Sequence, residues 1–221
     1  MKQTLIDNFK NALKNKNFHS YLVQQYKSGE LEKILPEFVQ LLNTPELDDN
    51  GTKVSVGIRT LELLKKAGDA DEKTKYALLL HDIGKIVTSK DLLPRHSLMH
   101  GEHAAPIIKK ISKRLDMPED YTDFAVLLAC VHTKAYQFKD MDNADLFELN
   151  NMIPAQNFDE LLHCCQICTG SLRYDEKNSS QIALGIGYNR FKTFHTRVNS
   201  GDMNIWRDIL QKRKDGPDIV V

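Results

Sequence analysis

Five of the eight histidines, His81, His96, His100, His103 and His132, fall between positions 81 and 132. Imidazole nitrogens and carboxylates together are the donors that borderline divalent metals such as Zn, Ni, Mn or Fe accept. The sharpest local pattern is Leu80-His81-Asp82-Ile83-Gly84-Lys85. Adjacent helical residues point about 100° apart, so His81 and Asp82 would not share a ligand on a regular helix. Gly84 is expected to end the helix in a left-handed conformation and re-aim its last turn. A cation seated there would meet both a neutral nitrogen and a carboxylate oxygen, and Lys85 would neutralise a phosphate oxygen. The structural reading of the same residues is a helix C-terminus at which His81 and Lys85 complement the dipole. On these residues alone both readings stand.

Other candidates carry the same double reading. His132 follows Val131 on a segment whose apolar face is Phe124, Leu127, Leu128 and Val131, where a lone histidine is more often a satisfied core residue. Arg95, His96, Lys85, Lys90 and Lys134 would line a phosphate-attracting mouth or form a solvated face. Cys165 and Cys168 have the spacing of half a zinc site, but Cys130 and Cys164 are poorly spaced partners. Both also fall on an apolar helical stripe, so core packing is expected. Neither a Gly-x-Ser-x-Gly elbow nor a glycine-rich phosphate loop is present.

The elements that must position these groups are helical. Leu5, Phe9 and Leu13 step by four; Leu31, Ile34 and Leu35, then Phe38 and Leu42, step by three and four across Pro36. Ile58, Leu61 and Leu64 predict a helix closing before Gly68, and Tyr76–Leu80 leads into the His81-Asp82 pair. Ala104, Ile107, Ile108, Ile111 and Leu115 predict the next face, stopped by Pro118. Phe158, Leu161, Leu162, Cys165 and Cys168 follow, then Ile182, Ile186, Phe191 and Phe194, then Ile205, Ile209 and Leu210. Ordered loops are expected from Lys85 to Leu98 and from Lys139 to Asn143. No period-two alternation stands out, and the expected fold class is all-α. The expected organisation is a helical extension over 1–50, a main helical domain over 51–215 and a loose tail over 216–221.

Thirty basic and 30 acidic side chains leave a net charge of zero among 221 residues. That balance argues against a DNA-wrapping protein, so no DNA partner is expected. No stretch approaches the roughly 20 apolar residues of a membrane span, and the N-terminus lacks the apolar core of a secretory signal. Four sparse cysteines point to a reducing cytoplasm.

His81-Asp82-Ile83-Gly84-Lys85, then Pro94-Arg95-His96, His100-Gly101 and Val131-His132, resembles the HD superfamily of metal-dependent phosphohydrolases. More narrowly, it is similar to the HD domain in the later half of bacterial CCA-adding enzymes, the tRNA nucleotidyltransferases. Leu35-Pro36-Glu37, Gly57-Ile58-Arg59-Thr60-Leu61, Leu92-Leu93 and Leu115-Asp116-Met117-Pro118 support the match, which spans roughly residues 20 to 175. The resemblance implies an all-helical HD bundle that hydrolyses phosphate esters of nucleotides or RNA ends. It also implies a divalent metal (Ni, Mn, Mg, Co or Zn) held by His81, Asp82, His100 and His132. His81, Asp82 and Lys85 would be catalytic, and Arg59, Arg95 and Lys85 would bind the substrate phosphate. Asp69-Ala70-Asp71 and Asp140-Met141-Asp142 do not follow a Gly-Ser turn on a strand, so CCA addition by this chain alone is not expected.

Two family ligands are replaced. The opening histidine falls at Arg59 and the closing aspartate at Ser171, and arginine cannot bind a metal. Three readings follow. A metal still binds, with Asp175 as an added ligand; or Arg59 replaces the metal and the site binds phosphate without hydrolysis; or the remnants are structural. The corresponding functions are a phosphohydrolase, a non-catalytic nucleotide-, RNA- or protein-binding module, and a partner subunit of a split tRNA-processing enzyme. The partners implied are a nucleotide or RNA phosphate ester, tRNA or a nucleotidyltransferase subunit.

Overall fold

The computed structural model describes residues 2–48, 51–88, 100–169 and 179–215. Four helices lead in: α1 (Lys2–Leu13), α2 (Phe18–Lys27), α3 (Leu31–Ile34) and α4 (Pro36–Leu42). Pro36 divides the last two, because the residue before a proline avoids the helical region; Leu35 has φ −138° and ψ 56°. A short antiparallel ribbon follows, β1 (Pro45–Leu47) and β2 (Lys53–Ser55), with Glu46 opposite Val54. Then come α5 (Val56–Lys66), α6 (Glu72–Leu80), α7 (Lys85–Thr88), α8 (His100–Leu115) and α9 (Glu119–Val131). The remaining helices are α10 (Asn143–Met152), α11 (Phe158–Thr169), α12 (Ser179–Asn199) and α13 (Met203–Asp215), with single 3₁₀ turns at Lys134–Gln137 and Ala155–Asn157.

The fold is all-α, and the ribbon is the one sheet among the described residues. The Asn50-Gly51 pair between its strands is a hairpin signal in the sequence. Its strands are three residues each, too short to show alternation. Lys85–Thr88, expected as loop, is helical. The expected tail, 216–221, lies outside the described residues.

One core runs from Ile6 in α1 to Ile209 in α13. α6 sits at its centre, buried continuously from Thr74 to Leu80, which is why it shows no amphipathic stripe. Asp71 caps it, accepting from Thr74 N at 2.7 Å. Lys75 ties it to the lead-in helices by donating to Leu13 O at 3.2 Å and Asn15 O at 3.1 Å. Cys165 and Cys168 are buried on α11 as core residues.

Three apolar residues expected inward lie outward. Ile58, Ile186 and Leu210 are exposed. Leu64 of α5 is buried as expected, together with Val56, Gly57, Thr60 and Leu63, which leaves Arg59 on the edge of that face. Around α12 the buried groups are Tyr188, Phe191, Phe194 and Val198. Phe191, Phe194, Ile205 and Ile209 are buried as expected.

Two glycines let helices approach where the candidate residues lie. Gly84 does not adopt the expected left-handed conformation; positive φ among the described glycines occurs at Gly29, Gly51 and Gly201. Its role is clearance, since a Cβ there would stand 2.0 Å from His100 O at the start of α8. Likewise a Cβ on Gly101 would stand 2.9 Å from Ala129 O in α9. Gly84→Ala must therefore push α8 off the 81–84 turn. The expected loss is about 1–3 kcal/mol of unfolding free energy, seen as a lower urea midpoint; an unchanged midpoint would show that the contact does not constrain the fold.

Candidate metal and phosphate centre

Every candidate side chain of the centre sits at or near a helix end. α6 stops at Leu80, and i→i+3 bonds tighten the next turn: Ile83 N to Leu80 O at 3.0 Å and Lys85 N to Asp82 O at 2.9 Å. This turn, not a left-handed glycine, aims His81, Asp82 and Lys85 inward. His100 is the first residue of α8, and His132 follows the last of α9. Arg59 reaches in from α5.

The structure brings His81, Asp82, Lys85, His100, His132 and Arg59 together around one carboxylate. Asp82 is 1% exposed, and its two oxygens face different chemistry. Oδ2 is bound by Arg59 Nη2 and by Lys85 Nζ at 3.1 Å, with His81 Nε2 at 3.3 Å. Oδ1 is buried and accepts no aligned hydrogen bond. His100 Nε2 stands 2.9 Å from it and His132 Nε2 3.3 Å from it.

Backbone carbonyls orient two of the rings. His81 Nδ1 donates to Leu78 O at 2.7 Å and His132 Nδ1 to Leu128 O at 3.0 Å. A carbonyl can only accept, so each Nδ1 carries a proton and each Nε2 points into the centre. Burial pushes the His132 imidazole down to about 4, so it is neutral at pH 7 and presents a lone pair. Burial opposes ionisation of Asp82, but its interactions with Lys85, His81 and Arg59 outweigh it and hold the carboxyl well below the usual range.

A residue that the sequence reading missed completes the centre. Glu46, 2% exposed on β1, lies 2.7 Å through Oε1 from Arg59 Nε, and accepts through Oε2 from Lys85 Nζ at 2.8 Å. Arg59 and Lys85 are thus each shared between two carboxylates. The only sequence signal for Glu46 is the hairpin around Asn50-Gly51, which turns alternate residues of β1 inward.

The donor set fits a divalent cation. Asp82 Oδ1, His100 Nε2 and His132 Nε2 form a triangle with edges of 2.9, 3.3 and 3.3 Å. Ligands about 2.0–2.1 Å from one ion stand roughly 3.0–3.4 Å apart, depending on coordination. A second grouping, His81, Asp82 and His132, has all its ligand atoms within 4.8 Å of one another. Asp82 Oδ1 and the two Nε2 atoms therefore lie close enough together for one cation to reach all three.

Other expected residues fall elsewhere. His103 is exposed. Lys134 lines a separate cavity of about 450 Å³ with Gly101, Glu102, Thr133 and Glu148. Arg95, His96, Lys90, Ser171 and Asp175 lie outside the described residues.

Residues 54–163 match the family described as HD domain. This stretch of the chain is an HD domain. Among its curated relatives, a multifunctional CCA protein of Tolumonas auensis is 31% identical over 142 residues, covering 62% of this chain and 34% of its own length. One from Shewanella denitrificans is 34% identical over 125 residues, covering 54% and 30%. One from Ralstonia nicotianae is 29% identical over 160 residues, covering 69% and 37%. The chain therefore spans about a third of the length of the curated relatives it matches. Among the described residues, no helix of this HD protein is long and apolar enough to cross a membrane.

The environment of His132 sets a pH dependence. Its pKa is about 4 in the fold against an ordinary 6.5. Between those values the unfolded chain binds the extra proton, so stability falls as pH drops through this window, by at most about 3 kcal/mol. Asp82 titrates lower still and keeps its contribution across that window. In chelator-treated protein, thermal melts from pH 7 to pH 4 should show the decline, and His132→Gln should flatten it. A wild-type profile no steeper than that of the variant would contradict the assignment.

Proposed function

We propose that this HD domain is a phosphohydrolase centre holding a single divalent ion, acting on a phosphate ester of a nucleotide or RNA end. The observation that carries the reading is the triangle of Asp82 Oδ1, His100 Nε2 and His132 Nε2. His81 supports it, with its Nε2 turned toward the same carboxylate. When bound, the ion would supply Lewis-acid activation of the phosphate and a nucleophile at neutral pH.

The chain's own residues do the rest. Leu78 O and Leu128 O hold two imidazoles in the tautomer that aims Nε2 at the centre. Arg59 stands where the family pattern opens with a ligand, and its guanidinium gives a fixed positive charge beside Asp82. Arg59 Nη1 takes no part in the bonds to Glu46 and Asp82, and so remains to donate to a phosphate oxygen. Lys85 adds a second fixed charge. The names of the CCA-protein relatives support tRNA or a nucleotide as the substrate class. The four free cysteines suit a reducing cytoplasm.

A second reading has its own observation. Asp82, Glu46, Arg59 and Lys85 sum to zero charge, so the buried centre is electrically balanced without an ion. A non-catalytic module that binds a nucleotide, an RNA end or a nucleotidyltransferase subunit fits that balance.

Metal analysis separates the two. The hydrolase reading expects about one equivalent of bound metal. It also expects turnover of p-nitrophenyl phosphate or 2′,3′-cyclic AMP with added Ni, Mn or Co. His100→Ala and His132→Ala should each weaken metal binding by about tenfold or more. Metal content below about a tenth of an equivalent, without turnover, would leave the binding module as the function.

A further inference from the structure

Glu46 pairs with Arg59 and Lys85, and it lies outside the stretch that matches the HD domain. A glutamate 2% exposed is rare unless paired, and this one is paired twice. It is delivered by local hydrogen bonding. Glu46 stands opposite Val54 in the ribbon, and β2 runs directly into α5. Val56 N donates to Thr44 O at 3.0 Å, Ser55 Oγ donates to Leu42 O at 2.6 Å, and Ile58 N donates to Ser55 Oγ at 3.2 Å. The register that caps α5 is therefore the register that turns Glu46 toward Arg59, and a slip of one residue would turn it away.

We infer that Glu46 sets the charge of the centre: by neutralising one of the two resident cations, it makes the triangle at Asp82 Oδ1 accessible to a divalent ion. The inference rests on the metal reading above. Asp82 contributes −1, Arg59 and Lys85 contribute +2, and Glu46 returns the sum to zero. Without Glu46 the centre would carry +1 beside the place where a doubly charged ion must sit. At such separations, in a poorly screened interior, one unit charge changes ion affinity by about tenfold or more. Glu46 would act through Arg59 and Lys85, as a positioning residue and a counter-charge.

A ladder of charge tests this against a merely structural role. Glu46→Gln raises the sum to +1 and Lys85→Met lowers it to −1, while the double variant Glu46→Gln/Lys85→Met restores zero. The probe is Mn²⁺ alone, titrated by calorimetry and by its electron paramagnetic resonance signal, with circular dichroism to confirm folding. Relative to wild type, Glu46→Gln should bind at least about tenfold more weakly and Lys85→Met should bind more tightly. The double variant should lie within about threefold of wild type. If both single substitutions weaken binding, or the double variant is worse than either, the inference is overturned while the metal reading survives. A variant that fails to fold is replaced by the charge-conserving substitution at the same position, Glu46→Asp or Lys85→Arg. Each keeps the sum at zero and should keep wild-type affinity; loss of affinity there also overturns the inference. A wild-type protein that takes up no Mn²⁺ overturns the metal reading itself, and this inference with it.

Discussion

The arrangement depends on one carboxylate with two different sides. Asp82 presents Oδ2 to a guanidinium and an ammonium, and Oδ1 to imidazole nitrogens. A buried charge costs several kcal/mol unless it is paired, and the first side supplies that pairing. The second side is then available for chemistry. Because one oxygen is held by the chain itself, the other can remain without an aligned donor inside a folded core.

The supporting structure consists largely of helix ends. α6, α8 and α9 end or begin within a residue or two of Asp82, His100 and His132. Bringing three helix termini to one point requires close backbone approach, which Gly84 and Gly101 permit. Each terminus also leaves carbonyls or amides without helical partners. His81 Nδ1 and His132 Nδ1 each donate to a carbonyl one turn back, Leu78 O and Leu128 O, and Leu128 O also accepts the His132 backbone N–H, so its helix end and the His132 tautomer share one acceptor.

Much of this is legible in the sequence, for reasons that can be stated residue by residue. The periodicity of Ala104, Ile108, Ile111 and Leu115 marks α8, and the run Tyr76–Leu80 marks α6, because burial there is strong and continuous. His81, Asp82, His100 and His132 converge as the family resemblance implies. Glu46 is not legible. A buried glutamate is written like any surface glutamate, and what buries it is a three-residue strand whose partner is known only from the fold. Gly84 departs from its expected role for a related reason. Clearance against His100 O depends on a helix sixteen residues away in sequence, whereas a left-handed cap is a local inference. Ile58 is expected inward and lies outward because several faces of α5 share one period, and tertiary contacts select among them.

The ribbon has a consequence for how this domain travels in evolution and in the laboratory. The recognisable domain begins at residue 54, but the counter-ion of its arginine enters at residue 46, on the strand just before. A graft or truncation cut at the recognisable border would carry Arg59 and Lys85 away from the carboxylate they share. The smallest transplantable unit therefore includes the hairpin, and Arg59 and Glu46 form a pair that chimeras must inherit together.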